Sequence, residues 1–545
     1  MKHILLPGLA LSALVSLTSC AGFLDEDARG RLTPSEFFSS KEDLDMSLNA
    51  LYERVEQTQT YTNMQIPQWA GDDLTSHPAS NKGDYRECDR FNVSNTNKGV
   101  TAAWNAHYSL IMAANGIINN AEKTPADKKD VDSAIGNALY WRAYSYFYLV
   151  RLFGPLPLNL TNESDNYTTP LTSVEKVYEQ IVSDLQKAVT LLPDHYSDAP
   201  AHLFNVDVFV TSQAARATLS AVYMAMAGFP MNRTEYYKSA AEEAKKVLDG
   251  KFYTLDSDWK NVYSIANNYN AETVLGISNS AVLGSWDHDS ELSSCLILSS
   301  SGFGGWNDAM SEIKFWVDYP AGPRKDCVFE PQILRESDMK LYNWYDKDED
   351  GTPIFSEYHP AFSIYTYNVD NGKLVNAPFD YRLPKYSGMT TGHRHRVIRL
   401  SEVMLWYAES AARSGQDLAV AKEMLKTVHN RACTEKDAIG GVSIDAMDAD
   451  QLAKAAYDEH GWEVACNWVA LVPRRADQLR TNTLRDNFER RKVNAPIAIP
   501  GTDYTATETT LIIEGDTWDD DRNYLPYPSN DSSKNSSLKR KSLLD

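Results

Sequence analysis

The sequence predicts a mostly α-helical fold in which helical hairpins form a scaffold that one long loop-rich segment interrupts. Small and apolar residues recur three and four positions apart in several segments, and a glycine ends most of these segments. The helical period is lost between about residues 255 and 395, where Gly, Ser, Asn, Asp and Trp crowd together. With 43% hydrophobic and 23% charged residues among 545, the composition is that of a globular chain.

Two helix starts are marked by capping residues. Residues 33–36, Thr-Pro-Ser-Glu, combine an N-cap, a first-turn proline and an acidic third residue, and they predict a helix that continues through residues 44–52. A second helix is predicted to open at Thr172-x-x-Glu175 and to end before Pro193.

Three further segments carry the hairpin pattern. In two of them a small-residue helix ends in a glycine and a second helix follows: Ala217, Ala221, Met224 and Gly228, then Tyr237, Ala241, Ala244 and Leu248; and Leu405, Ala408, Ala412 and Gly415, then Ala421, Leu425 and Val428. The third runs from Gly136 to Gly154. Small residues at this spacing let two helices approach closely, as in tetratricopeptide-type hairpins. An ordinary helical bundle is the alternative.

The first twenty residues predict an exported, lipid-anchored protein. After a short polar start they form an apolar run that is too short to span a membrane, and they end in Leu-Thr-Ser-Cys, which resembles the bacterial lipobox. Residues 1–19 are therefore predicted to be a signal peptide, with Cys20 acylated at the new N-terminus. Residues 20–545 are predicted to form one helical domain. The alternative is an ordinary secretory leader with a coincidental cysteine.

Charge and cysteine content exclude several classes of protein. The formal net charge is −21, from 53 Lys and Arg against 74 Asp and Glu, so the chain repels phosphate backbones and nucleic acid is not an expected partner. The five cysteines after Cys20 are Cys88, Cys295, Cys327, Cys433 and Cys466. Because they include no C-x-x-C pair, these cysteines indicate buried free thiols rather than a zinc site. One disulfide bridge is the alternative.

Five blocks of sequence resemble a known family. They are residues 23–25 (FLD) with 33–38, residues 104–115, residues 142–158, residues 398–409, and residues 524–528 (YLPYP). In this order, behind a lipobox, they resemble the SusD/RagB-like outer-membrane nutrient-binding lipoproteins of Bacteroidetes. The resemblance covers nearly the whole mature chain. One departure is the eroded motif between Asp458 and Arg480, which we expect to affect packing of the last third more than function.

The resemblance implies a location, a partner and a ligand. Such proteins are anchored at the cell surface through their N-terminal lipid and cap a SusC-like TonB-dependent outer-membrane transporter. They capture oligosaccharides, or peptides in some members, and deliver them to the barrel. The resemblance also implies a SusD-like scaffold whose helical hairpins pack against the barrel, with the ligand held in loops opposite.

Two loop-rich insertions, about residues 60–100 and 255–395, carry the candidate ligand residues. A sugar site combines flat aromatic rings with amide, carboxylate or guanidinium partners. The candidates that fit this mixture are Trp69, Asp73, Tyr85 and Arg86 in the first insertion, and Trp286, Trp306, Asn307 and Trp316 in the second. For any single tryptophan among them, a place in the core is the alternative. Trp104, Trp141 and Trp406 lie at core spacing on helices and are interpreted as packing residues.

Calcium is the only metal that the sequence suggests. Asp346, Asp348, Asp350 and Glu357 fit the pattern D-x-D-x-D-G-x5-E, which supplies oxygen ligands at alternate positions and an acid at the twelfth. Pro353 and the lack of flanking helices favour the alternative, an Asp-rich hairpin turn. No other cofactor is expected.

No catalytic activity is expected. The sequence contains no G-x-S-x-G, no H-E-x-x-H and no phosphate-binding loop. We therefore predict a glycan-binding lipoprotein, with a peptide-binding member of the same family, a secreted glycoside hydrolase and a scaffold that binds only proteins as alternatives. A two-carboxylate glycosidase stays open because its acids are recognised by their separation in space.

Overall fold

The computed structural model describes residues 37–60, 66–78, 82–162, 165, 167–279, 308–330, 332–335, 337–338, 340–355, 359–364, 368–370, 373–375 and 393–545. Helices dominate this part of the chain, and the strands are short, which confirms the predicted mostly α-helical class.

The helices are numbered in chain order. They are α1 Lys41–Thr58, α2 Gly83–Asp89, α3 Lys98–Asn120, α4 Lys128–Phe153, α5 Val174–Leu191, α6 Ser212–Ala227, α7 Tyr236–Gly250, α8 Trp259–Val262, α9 Ile313–Asp318, α10 Pro323–Val328, α11 Leu400–Ser414, α12 Leu418–Ala432, α13 Ala449–Glu463, α14 Arg474–Arg480, α15 Leu484–Val493 and α16 Ser529–Ser532. Short 3₁₀ turns span Ile66–Gln68, Ala121–Lys123, Ile265–Asn267, Ile444–Ala446 and Asp520–Asn523.

The strands form two-stranded antiparallel ladders. Six of these ladders join strands that are neighbours in the sequence: β2 Leu156–Pro157 with β3 Leu171–Thr172, β4 His202–Leu203 with β5 Val206–Asp207, β8 Ile333–Arg335 with β9 Lys340–Tyr342, β10 Asn368–Asp370 with β11 Lys373–Val375, β13 Ala438–Ile439 with β14 Val442–Ser443, and β15 Ile497–Ala498 with β16 Thr505–Ala506. Two join distant segments: β1 Leu74–Ser76 with β7 Ala309–Ser311, and β6 Thr273–Ile277 with β12 His395–Arg399.

The long helices pack in series. Helix α1 packs on α3, and contacts then run from α3 to α4, α5, α6 and α7 in turn. Helix α7 packs on α11, which contacts both α12 and α13. Helices α7 and α11 therefore pack on each other although residues 251–399 separate them in the sequence.

Sequence-local signals explain the ends of these helices. Gly154 and Gly415 follow α4 and α11 with φ of 72° and 68°, a region that favours glycine. Between the paired helices, Ala221 and Ala408 are 2% and 0% exposed, which allows the close approach that the small residues predict.

Two predicted helix boundaries differ from the structure. The helix that contains Leu44 and Leu51 begins at Lys41, because the side chain of Ser40 accepts a hydrogen bond from the Asp43 backbone N–H. The start predicted at residues 33–36 lies outside the described residues. Helix α5 begins one residue later than predicted, with Ser173 rather than Thr172 at the N-cap.

The helical tryptophans and the described cysteine thiols are buried in the core. Trp104, Trp141 and Trp406 are at most 1% exposed, as predicted. Four cysteines are free and buried, namely Cys88, Cys327, Cys433 and Cys466. Cys295 lies outside the described residues.

A buried group of charges ties the array to residues 251–399. We call it the arginine–glutamate cluster, and it consists of Arg324, Arg399, Arg431, Glu272, Glu459 and Glu463. Glu463, at the end of α13, lies 2.6 Å from both Arg324 Nη1 and Arg399 Nη1. Burial opposes ionisation of Glu463, but the neighbouring arginines outweigh it and hold the pKa of Glu463 well below its usual range.

Candidate ligand-binding cleft

Strand pairing brings the two predicted ligand-binding segments together. Leu74 lies opposite Ser311 in the β1–β7 ladder, although one strand belongs to the first insertion and the other to the second. The Glu312 backbone N–H donates to the Asp73 carbonyl at 3.1 Å and extends this contact.

The structure places three of the predicted ligand residues in the core. Trp69 is 0% exposed, with its ring centroid 4.9 Å from that of Tyr85 and 6.0 Å from that of Trp468. Tyr85 is 7% exposed, and its hydroxyl lies 3.5 Å from a carboxylate oxygen of Asp308. The interpretation of Trp69 and Tyr85 as open stacking surfaces is therefore corrected, because neighbouring rings and side chains cover both.

Asp73 is also enclosed. Its carboxylate accepts a hydrogen bond from the Cys466 backbone N–H at 3.1 Å. Burial, with the Asp72 carboxylate beside it, raises the pKa of Asp73 to about 7. Asp73 therefore joins the first insertion to the last third of the chain rather than facing a ligand.

Arg86 and Trp316 are only half-buried. Arg86 donates to the His77 carbonyl at 3.4 Å. The Trp316 ring lies 4.4 Å from Lys325 Nζ and is edge-on to Trp344. Ligand binding by these two residues stays a prediction. Trp286, Trp306, Asn307 and the lipidation site Cys20 lie outside the described residues, and their roles also stay predictions.

The predicted calcium pattern folds as a tight turn. Asp348 Oδ1 accepts hydrogen bonds from the backbone N–H groups of Asp350 and Thr352, at 3.0 and 2.8 Å. Asp346 Oδ2 accepts one from the Asn343 backbone N–H. This geometry matches the Asp-rich hairpin turn. Glu357 lies outside the described residues, so calcium binding stays a prediction.

A cleft of about 470 Å³ opens beside the β1–β7 ladder. Its lining comes from the first insertion, α9 and the region α13–α15, and includes Asp72, Lys314, Phe315, Asp318, Lys454, Tyr457, Asp458, Trp462, Arg474, Gln478, Thr483, Asp486, Asn487 and Arg490. A volume of this size suits a small ligand or a short stretch of a polymer.

Paired polar groups form the floor of the cleft. Arg474 Nε and Nη2 donate to the two carboxylate oxygens of Asp72, at 2.6 and 3.0 Å. Gln478 Oε1 accepts from the Asp72 backbone N–H at 3.1 Å and from Asn487 Nδ2 at 2.6 Å. These bonds fix the planes of a guanidinium and two amides at the base of the site.

Two aromatic residues of α13 form one wall. Trp462 is half-buried, and its backbone carbonyl accepts a hydrogen bond from the Tyr319 hydroxyl at 2.6 Å. The Tyr457 ring lies 4.9 Å from the guanidinium carbon of Arg474, so this ring is already stacked. Trp462 is therefore the better candidate for a stacking surface.

The charged residues that line the cleft carry no net charge in sum. There are four cations and four carboxylates: Lys314, Lys454, Arg474 and Arg490, and Asp72, Asp318, Asp458 and Asp486. This balance contrasts with the strongly acidic chain as a whole. A cleft without net charge favours a neutral ligand over a polyanion or a cation.

The sequence interpretation missed the contribution of α13, because the region from Asp458 to Arg480 was assigned to packing. A signal was present. Lys454, Tyr457, Asp458 and Trp462 recur at helical spacing and form a stripe that is exposed at Lys454 and half-buried at the other three residues, whereas Leu452, Ala456, Glu459 and Glu463 lie on the buried side.

The helical array and the polar–aromatic cleft between α9 and α13 are a suitable frame for a ligand, and comparison with known families identifies the class of protein. Residues 22–224 match a family model described as SusD-like, "starch-binding associating with outer membrane". Residues 343–542 match the SusD family model. The chain belongs to the SusD/RagB-like family.

Relatives and solved structures agree with this assignment. A SusD-like protein from Bacteroides ovatus is 24% identical, and the match covers 97% of this chain and 95% of that protein. A SusD homolog from Bacteroides thetaiotaomicron has the same fold, with a TM-score of 0.74, 18% identity and coverage of 93% of this chain and 97% of the other. Surface glycan-binding protein A of the same species, solved with laminarihexaose, has a TM-score of 0.69 at 16% identity and covers 92% and 99%.

Among the described residues, every helix is too short or too polar to cross a membrane.

Proposed function

We propose that this protein binds a neutral oligosaccharide in the cleft between α9 and α13 and delivers it to a SusC-like TonB-dependent transporter. It acts at the cell surface, anchored in the outer membrane by acylated Cys20, and catalyses no reaction. The ligand rings stack on Trp462, and the hydroxyl groups bond to the polar residues of the floor.

The composition of the cleft carries this proposal. A pyranose ring offers an apolar face of C–H groups and a rim of hydroxyls, so it needs an aromatic surface beside donors and acceptors of fixed orientation. Trp462 supplies the surface, and the Asp72–Arg474 pair supplies the donors and acceptors, held in place by the buried amides of Gln478 and Asn487. The balanced charge of the lining suits an uncharged sugar.

The family context supports the same ligand class. The family model matched by the first part of the chain is described as starch-binding, and the neighbour of similar fold was solved with laminarihexaose. Binding of modest affinity is expected because a carrier must release its ligand to the transporter.

Titration of the purified protein with neutral oligosaccharides, followed by calorimetry, tests the proposal. We expect Trp462→Ala to weaken binding at least about tenfold, the loss of about 1.4 kcal/mol that removal of a stacking residue causes. Trp518→Ala is the matched control, because Trp518 is half-buried but packs on Phe91 and Phe488 away from the cleft.

Other outcomes decide between the alternatives. Equal oligosaccharide affinity in Trp462→Ala and Trp518→Ala would show that the cleft is not the binding site. Trp286 and Trp306 would then be the candidates to test next. Binding of peptides but no sugars would indicate a peptide-binding member of the family. Release of reducing sugar from a polysaccharide would identify a hydrolase. Copurification with a TonB-dependent barrel from the native membrane tests delivery to the transporter.

A further inference from the structure

A cluster of two histidines and one aspartate lies on the link between α5 and α6, outside the ligand-binding cleft. His202 and Asp207 lie opposite each other in the β4–β5 hairpin, and His195 reaches them from the segment that follows α5. The side chain of His195 is 50% exposed and that of His202 is 20% exposed, so an ion from solvent can reach the cluster.

The three side chains converge on one point. His195 Nδ1 lies 2.9 Å from Asp207 Oδ2, and His202 Nδ1 lies 3.2 Å from Asp207 Oδ1. All the potential ligand atoms lie within 4.8 Å of one another. Ligands about 2.1 Å from a tetrahedral zinc ion are separated by about 3.4 Å, so small movements would suffice to admit the ion.

The surrounding residues hold the carboxylate in place. Asp207 Oδ1 also accepts a hydrogen bond from the Tyr196 backbone N–H at 3.0 Å. The nearby guanidinium of Arg394 donates to the Asp207 backbone carbonyl, not to the carboxylate. Both carboxylate oxygens therefore face the two imidazoles, and a cation between them would replace the two N–H hydrogen bonds.

We propose that His195, His202 and Asp207 bind a zinc ion, with a water molecule at the fourth position. Two imidazoles and a carboxylate are a ligand set that zinc accepts at neutral pH. The ion would join the segment after α5 to the hairpin before α6, and it would thus fasten together the two ends of the link between neighbouring helices of the array. Zinc binding to the folded protein raises its Tm.

Calorimetric titration of the metal-free full chain with Zn²⁺ tests this site. We expect one zinc ion per chain, with affinity at least about tenfold weaker in His195→Ala and in His202→Ala, because loss of a direct ligand costs at least as much as loss of a supporting residue. His77→Ala is the control and should bind as the unaltered protein does, because His77 lies outside the cluster. A rise of Tm with zinc should disappear in the same two variants.

Two results of the titration would overturn the proposal. One is an absence of stoichiometric zinc binding, and the other is the same affinity for zinc in His195→Ala, His202→Ala and His77→Ala. X-ray absorption at the zinc edge provides a readout that does not depend on the stability of a variant. Two imidazoles with only nitrogen and oxygen ligands support the site, whereas sulfur ligands would assign the ion to cysteine and contradict it.

Discussion

The arginine–glutamate cluster and the candidate ligand-binding cleft lie on opposite sides of α13, and both contain arginine–carboxylate pairs. In the cluster, Glu463 and Arg399 are 0% exposed. In the cleft, Asp72 keeps 23% of its side-chain surface exposed while its partner Arg474 keeps 9%. Similar ion pairs are therefore buried from solvent on one side of α13, which we call the sealed side, and partly exposed on the other, which we call the open side.

The difference in exposure determines what each set of ion pairs can do. A sealed ion pair has no alternative partner, so removing one member leaves a buried charge unpaired. A pair at the base of a cleft exchanges contacts with water, and a ligand hydroxyl can take the place of that water. We expect variants on the sealed side to change stability and variants on the open side to change binding.

The largest effect is expected at the sealed side. Glu463→Gln removes the charge shared by Arg324, Arg399 and Arg431, and it should lower the free energy of unfolding by about 3–5 kcal/mol. Urea unfolding measures this change. Asp249→Asn is the control, because it breaks an exposed pair with Lys245 on α7 and should cost less than about 1 kcal/mol. Equal losses in the two variants would refute the contrast.

The second prediction concerns pH. His429, next to the cluster, donates to Glu459 at 2.8 Å. Burial lowers the pKa of His429, but hydrogen bonds with Cys433 and Glu459 outweigh burial and raise it to about 10. His429 therefore keeps its proton in the folded chain at pH values above about 6.5, where the histidine of the unfolded chain loses it.

The contribution of His429 to stability is complete below about pH 6.5 and is lost as the pH rises to about 10, by up to about 1.4 kcal/mol per pH unit. Urea unfolding at several pH values should show this fall in the unaltered protein and a flatter profile in His429→Gln. Parallel profiles would show that His429 does not hold the proton.

The smallest change in stability is expected at the open side. A Cβ on Gly461 would overlap the Arg474 guanidinium that pairs with Asp72. In Gly461→Ala the clash costs about 1–3 kcal/mol, and the gain in helix propensity offsets about 1 kcal/mol. Oligosaccharide affinity should fall as Arg474 moves, which calorimetry measures.

Gly116→Ala provides the comparison for Gly461→Ala. Gly116 is also a helix glycine, but among the described residues a Cβ there would meet only Asn162 Nδ2, at 3.6 Å. This variant should gain stability and bind the ligand unchanged. Weaker binding in Gly116→Ala would show that the loss in Gly461→Ala does not come from Arg474.

The helical array was predictable from sequence, and the cleft was not. Gly228 and Gly415 mark helix ends through local geometry that a short window of sequence contains. Asp72 and Arg474 are 402 positions apart, and no local pattern relates them. Strands β1 and β7 lie in the two insertions that the sequence predicts, but the prediction took Trp69 and Tyr85 for surface residues, because aromatic residues beside acids in a loop resemble a binding site whether they are buried or exposed.

The distance in sequence between Asp72 and Arg474 has a consequence for the newly made chain. A nascent polypeptide that has emerged as far as α12 already contains most of the helical array, but it lacks the aromatic wall and three of the four residues named for the floor of the cleft. Contacts between such distant segments form late, because closing a long loop costs entropy that only the final contacts repay. We therefore expect the cleft to be completed only at the end of folding, and we expect a chain truncated before α13 to bind no oligosaccharide there.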